Sequence, residues 1–316
     1  FLCVSALGVS GLILSGCTEN ANLNVGEWSL EYDAHANGID ISKGSKLIYD
    51  NVYAAYKLAD SVVSTRDYAK HHVSTKKIND YFGEGYHYEV TYTGNNLPAL
   101  VQSFYVYPAK DYVLTDFTLE STTEIASNYM APVNVDRMPE VLNQGENNRA
   151  LFIPFDNDCW IRYQSHPLTF TELTSYEVTA IFNNDDREAV VVGSVEHDSW
   201  KTGITIGKCY GGIADKTTRD SKPHGALKGT KIKSPKILVG FFEDWRGGME
   251  EYAQANAVIA PPKAWGKAVP FGWNSWGALQ FNLTYPKALE VSDFYKENLQ
   301  SRHFVNSDNL VYTGLD

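Results

Sequence analysis

Methionine is scarce in this chain, at three of 316 residues, and no stretch before Met249 carries a sustained helical period. These absences argue against a coiled coil and a Met-rich adaptable surface, and turn the reading toward β-structure. No run of lysine and arginine occurs and the formal net charge is −11, so a nucleic-acid partner is not expected. Cysteine is limited to four residues, with no Cys/His cluster at metal-ligand spacing, and neither metal nor cofactor is implied. The apolar run from Leu2 to Leu14 is too short to span a bilayer as a mature helix.

Aromatic residues are plentiful instead, with Tyr 20, Phe 14 and Trp 7. The chain is 43% hydrophobic, enough for one large domain and part of another. From Gly26 the pattern has period two: Trp28, Leu30 and Tyr32 share one face, Ser29 and Glu31 the other. Residues 101–107 and 112–120 read as a hairpin across Pro108-Ala109-Lys110-Asp111. In its second strand Val113, Phe117 and Leu119 face one way, while Asp116, Thr118 and Glu120 face the other. A further hairpin joins residues 176–182 and 188–195 across Asn183-Asn184-Asp185-Asp186, and residues 202–207 and 237–242 add strands. Ala253 and Ala257 support a helix over 249–258, after Gly247-Gly248. Residues 26–260 therefore read as a large antiparallel β-sandwich, giving a mainly β fold class.

Beyond Pro261-Pro262 the pattern changes. Residues 269–273 read as a short strand and 310–315 as another, with a helix within 282–302 between them. Thr284 can cap that helix, Pro286 suits its first turn, and Ala288, Val291, Tyr295 and Leu299 form a buried stripe. Strand, helix, strand is how a (β/α)8 barrel begins, and barrel sites form at the C-terminal strand ends. There stands Pro270-Phe271-Gly272-Trp273-Asn274-Ser275-Trp276. Indole faces stack on the C–H faces of a pyranose, and Asn and Ser reach its hydroxyls; two tryptophans three apart equally suit core packing. Trp276, just past the first strand, and Asp316, at the end of the second, should point into one pocket. The Asp316 carboxylate also suits a helix N-cap.

The run from Phe271 to Trp276, with Leu310-Val311-Tyr312-Thr313-Gly314-Leu315-Asp316, resembles the barrel opening of glycoside hydrolase family 36, α-galactosidases related to family 27. The resemblance implies an N-terminal β-sandwich followed by the barrel, of which 263–316 would be the truncated start. It implies that Trp276 lines a galactose site and that Asp316 accepts hydrogen bonds from sugar hydroxyls, with Trp273 and Asn274 beside them. Family members often pair acids at this strand end; here Leu315 precedes Asp316. The expected activity is retaining hydrolysis of terminal α-galactosyl residues from oligosaccharides or glycans. Its two catalytic aspartates would lie beyond residue 316, and no residue present is assigned a catalytic role, so the sequence is expected to be a fragment. A non-catalytic carbohydrate-binding sandwich, an α-N-acetylgalactosaminidase and a galactosyl-transferring relative are the alternatives.

The start of the chain carries a separate expectation. Leu14-Ser15-Gly16-Cys17, followed by polar residues, resembles a bacterial lipoprotein signal spanning residues 1–17. It implies lipid on Cys17, a polar tether over 18–25 and attachment to the membrane of a bacterial cell envelope, on the periplasmic side or the outer-membrane surface. Cys159 and Cys209 read as a disulfide or as two unpaired buried thiols. His71-His72 reads as a solvated loop, Phe155-Asp156-Asn157-Asp158-Cys159-Trp160 as a turn, and Glu196-His197-Asp198-Ser199-Trp200 as a strand end and loop.

Overall fold

The computed structural model describes residues 22–136, 142, 147–155, 162–169, 172–207, 213–216 and 225–316. The expectations for Cys17, Cys159, Cys209 and positions 156–160 lie outside the described residues. The chain divides into two compact units, Phe1–Pro261 and Pro262–Asp316.

Period-two alternation builds the first unit. In Trp28–Asp33 the residues Trp28, Leu30 and Tyr32 are buried and Glu31 is exposed, as their spacing predicts. Two large sheets result, with nine and ten strands among the described residues. The nine-stranded sheet runs Asn22–Val25, Trp28–Asp33, Gly38–Lys43, Lys46–Leu58, Met130–Asn134, Ile213–Lys216, Gly203–Gly207 and Glu172–Tyr176, with Ser61–Ser64 on the Lys46–Leu58 strand. The ten-stranded sheet runs Gln164–Pro167, Asn148–Phe152, Val178–Asn183, Ala189–Ser194, Ile237–Phe242, Tyr112–Ser127, Ala99–Val106, Gly83–Thr93 and Lys70–Asp80, with Leu227–Lys233 on Tyr112–Ser127. All these pairings are antiparallel, and both hairpins stand in register, Val106 opposite Val113 and Phe182 opposite Ala189.

Side chains from both sheets meet in one core. Leu30, Ile39, Tyr56 and Met130 of one sheet pack in the same cluster as Tyr88, Phe104, Val113, Phe117 and Val239 of the other. Tyr56 and Phe117 approach ring to ring at 6.4 Å. Gln102, fully buried, donates from Nε2 to the Pro132 carbonyl across the core at 3.3 Å. The fold class is thus mainly β with a large antiparallel sandwich.

Two local expectations are corrected. His71 and His72 belong to the edge strand Lys70–Asp80, opposite Tyr92 and Thr91, not to a loop. That strand is exposed along most of its length, so it lacks the apolar alternation that marks a strand, and its lysines suit an unpaired edge. Asp116 faces away from Val113 and Phe117, as the alternation predicts, yet that side is not solvated there. Asp116 is 2% exposed, and its carboxylate accepts from Lys236 Nζ at 2.6 Å while Lys236 lies 3.5 Å from the centre of the Tyr105 ring. The mate compensates the cost of burying the charge. The helix, finally, runs Trp245–Ile259 and begins before Gly247-Gly248.

The reason is the outer face of the larger sheet, which this helix covers. Asp244 caps it by accepting from Arg246 N at 3.0 Å. Gly248 then lies against the sheet: a Cβ there would stand 2.7 Å from the Phe242 ring and 2.9 Å from Val191. Opposite, a Cβ on Gly193 would stand 2.5 Å from Tyr252 of the helix and 2.9 Å from Val178. Both glycines are contact points, so Gly247-Gly248 does not delay the helix start. Tyr252 completes the seam by donating to the Ser194 carbonyl at 2.8 Å. Gly193→Ala should therefore destabilise the first unit by roughly 1–3 kcal/mol through overpacking, read as a lowered urea midpoint with unchanged slope. A midpoint equal to wild type would show that the helix does not press on the sheet.

Candidate functional site

In the second unit two short strands run parallel, Gly272–Asn274 and Tyr312–Gly314, with registers Gly272–Tyr312, Trp273–Thr313 and Asn274–Gly314. Between them the chain passes through the helix Tyr285–Phe294 and the turns that continue it to Arg302. Ala288, Val291, Tyr295 and Leu299 are half-buried, as is Ser292; the stripe lies where the spacing predicts, but it is not buried. Thr284 occupies the N-cap position in extended backbone, but its side chain makes no capping bond; Pro286 sits in the first turn.

The strands approach closely because of Gly272. A Cβ there would fall 1.9 Å from the Tyr312 carbonyl oxygen, inside any allowed contact, so only glycine fits. This brings the C-terminal strand ends together. Asn274 Oδ1 accepts from Gly277 N at 3.1 Å and caps the short helix Ser275–Ala278. Its Nδ2 donates to Asp316 Oδ2 at 3.1 Å. Asp316 N donates to Ser275 Oγ at 2.9 Å, and Ser275 is wholly buried. Asn274 and Asp316 are exposed, whereas Ser275 is committed to the main chain and is not presented to solvent as its place in the motif predicted.

Trp276 follows at once, 45% exposed, with its indole edge-to-face on Phe281 at 5.0 Å. Trp273 is half-buried on the first strand. The structure thus brings Asn274, Ser275 and Asp316 into hydrogen-bond contact. Trp276 is joined to them through the chain, with no side-chain contact to Asp316 among the described residues. The arrangement offers a carboxylate acceptor, an amide and an indole face at one end of a parallel strand pair. Among the described residues, no group of three or more His, Cys, Asp or Glu side chains could hold a metal ion, and no helix is long and apolar enough to cross a membrane.

The first unit holds a second polar cluster. His197 follows the strand Ala189–Ser194, in the loop that the sequence predicts. Its Nδ1 lies 3.0 Å from Glu177 Oε2 and its Nε2 lies 2.6 Å from Asn256 Oδ1 on the helix. Ser194 Oγ donates to the same Glu177 oxygen at 2.8 Å. The Glu177 hydrogen bond raises the His197 pKa above its ordinary value, against the opposing effect of burial. Burial alone would raise Glu177, but the bonds from His197 and Ser194 outweigh it and hold the carboxyl below its usual range. With both ring nitrogens engaged, His197 ties the helix to the sheet and is not poised as an acid or base. A cleft of about 590 Å³ opens beside it, lined by Trp200, Lys233, Pro235 and Ile259. Lys233 there pairs with Glu196 at 3.0 Å and Asp116 at 3.3 Å.

No family model matches the chain, and no curated protein does. Solved structures do. A glycoside hydrolase family 97 enzyme from Pseudoalteromonas sp. strain K8, in complex with acarbose, matches with a TM-score of 0.58 and 11% identity over 87% of this chain and 45% of its own. The galactosidase domain of the α-galactosidase-sucrose kinase AgaSK matches with a TM-score of 0.55 and 10% identity, over 87% of this chain and 48% of its own. The α-N-acetylgalactosaminidase NagBb from Bifidobacterium bifidum, complexed with GalNAc, gives 0.51 and 11% over 76% and 39%. The chain spans about half the length or less of these structures, and at such identities the likeness is one of fold.

The His197–Glu177 tie makes stability depend on pH in a definite sense. His197 is raised in the folded state, so its contribution is complete below its unfolded value near 6.5 and is lost as pH rises through the folded value. Glu177 is lowered, so its contribution is present above its unfolded value near 4.5 and is lost as pH falls through the folded value. The difference in melting temperature between wild type and His197→Ala should be largest between pH 4.5 and 6.5 and shrink toward alkaline pH. A difference independent of pH would remove the ionic part of this account.

Proposed function

We propose that this chain belongs to a retaining α-galactosidase of the family 36 type, with Asp316 and Trp276 holding the terminal galactose and Trp273 and Asn274 beside them. One observation carries the reading: a parallel strand pair sets the Asp316 carboxylate beside Asn274, one residue from Ser275 and two from Trp276, at the C-terminal strand ends. That is the end of a parallel α/β unit at which ligands are bound. The sandwich fold supports a glycosidase, and AgaSK carries the α-galactosidase name. In this reading 262–316 is the opening of a (β/α)8 barrel within a longer, lipid-anchored protein. The nucleophile and acid/base carboxyls, which retaining enzymes set roughly 5–5.5 Å apart, come from later strands.

Asp316 accepts hydroxyl protons as a charged acceptor, and Trp276 offers an apolar face to the sugar's C–H groups. The full-length protein should hydrolyse aryl α-galactosides with retention. Asp316→Ala should lose a charge-assisted acceptor worth roughly 1.5–3 kcal/mol, about ten- to a hundredfold in kcat/KM. Trp276→Ala should weaken sugar binding without altering stereochemistry, because the indole transfers no proton. Activity on aryl α-N-acetylgalactosaminides in place of α-galactosides would move the assignment to the activity for which NagBb is named. A full-length enzyme inert on both but active on a β-linked sugar would overturn it.

A further inference from the structure

We propose that Asn274 is a positioning residue for the sugar-binding carboxylate, acting through Asp316 and not on the sugar itself; this rests on the reading of Asp316 given above. The orientation of its amide is set by chemistry. Gly277 N–H can meet only an acceptor, so the group facing it at 3.1 Å is Oδ1. The opposite end is then Nδ2, a donor, and it faces Asp316 Oδ2 at 3.1 Å. Asn274 is thus a rigid link between a backbone N–H and the carboxylate.

Asp316 is held a second time. Its own N–H donates at 2.9 Å to Ser275 Oγ, and Ser275 is 0% exposed, so this anchor cannot swing. One attachment fixes the main chain and the other fixes a carboxylate oxygen. Together they select one rotamer for an otherwise exposed side chain, which would lose that freedom on binding a ligand. Among the described residues Asp316 Oδ1 has no hydrogen-bond partner. The carboxylate therefore spends one oxygen on Asn274, and the residue as a whole is exposed. The strand register Asn274–Gly314 sets the distance at which this works, and Gly272 permits the register.

A double-mutant cycle on the full-length protein tests the assignment, with para-nitrophenyl α-galactoside as the probe. Asn274→Ser keeps a good helix cap but removes the Nδ2 donor. It should lower kcat/KM about tenfold while leaving the melting temperature near wild type, a loss equal to one charge-assisted hydrogen bond. In an Asp316→Ala background the same substitution should cost nothing further, since its only route is through the carboxylate. Asn274→Asp, which also keeps the cap acceptor but sets a second negative charge against Asp316, should lose more than Asn274→Ser. The double exchange Asn274→Asp with Asp316→Asn restores the bridge in reverse and should recover stability without recovering activity. An Asn274→Ser loss of the same size in both backgrounds, or kinetics unchanged by both Asn274 variants while Asp316→Asn is crippled, would overturn the positioning role and leave the galactoside reading standing. Unaltered kinetics in Asp316→Asn would bring down the galactoside reading, and the positioning role with it.

Discussion

Every β-strand has two faces, and each must be buried, paired or left polar; that constraint orders the whole molecule. The inner faces of the two large sheets satisfy one another through Tyr56, Phe104, Val113 and Phe117. The outer face of the larger sheet is apolar where the helix Trp245–Ile259 lies on it and charged where it does not. Leu114, Val191 and Leu238 pack in the cluster that holds Ala255 of the helix. Farther across the same face, Asp116, Lys236 and Tyr105 cover one another. Buried charge is costly, and a 2.6 Å pair with a cation–π contact offsets it without a further layer. In residues 262–316 Val269 is 77% exposed, Phe281 91% and Tyr285 76%.

The same economy of contacts builds the candidate site. A single glycine lets two backbones meet, a buried serine fixes the main chain of Asp316, and one amide spans cap and carboxylate. What the arrangement supplies is geometry: an acceptor, a donor and an indole at one strand end. The His197–Glu177 tie serves a different purpose, fixing the helix to the sandwich at a distance in sequence of 59 residues between His197 and Asn256.

Where burial is one-sided, sequence and structure agree. The alternation in Trp28–Asp33 was readable because one face is apolar and the other polar; the strands Val178–Asn183 and Ala189–Ser194 are buried on both faces and were readable from the turn residues between them. Agreement fails elsewhere. The edge strand Lys70–Asp80 is polar on both faces. Gly247-Gly248 signals a helix break, yet Gly248 is required by the closeness of Phe242, a contact invisible along the chain. At the site, the strand–helix–strand order made the neighbourhood of Asn274 and Asp316 foreseeable. The burial of Ser275 was not, since it depends on which way the first turn after the strand rotates.

The central claim is that the ends of two parallel strands present a carboxylate and an indole face to a galactose ring. Saturation-transfer difference NMR of methyl α-galactopyranoside with the full-length protein tests it most directly. The account predicts strong transfer to C–H protons on one face of the ring, lost in Trp276→Ala and again in Asp316→Ala. Transfer that is absent, or equal in wild type and both variants, would contradict it.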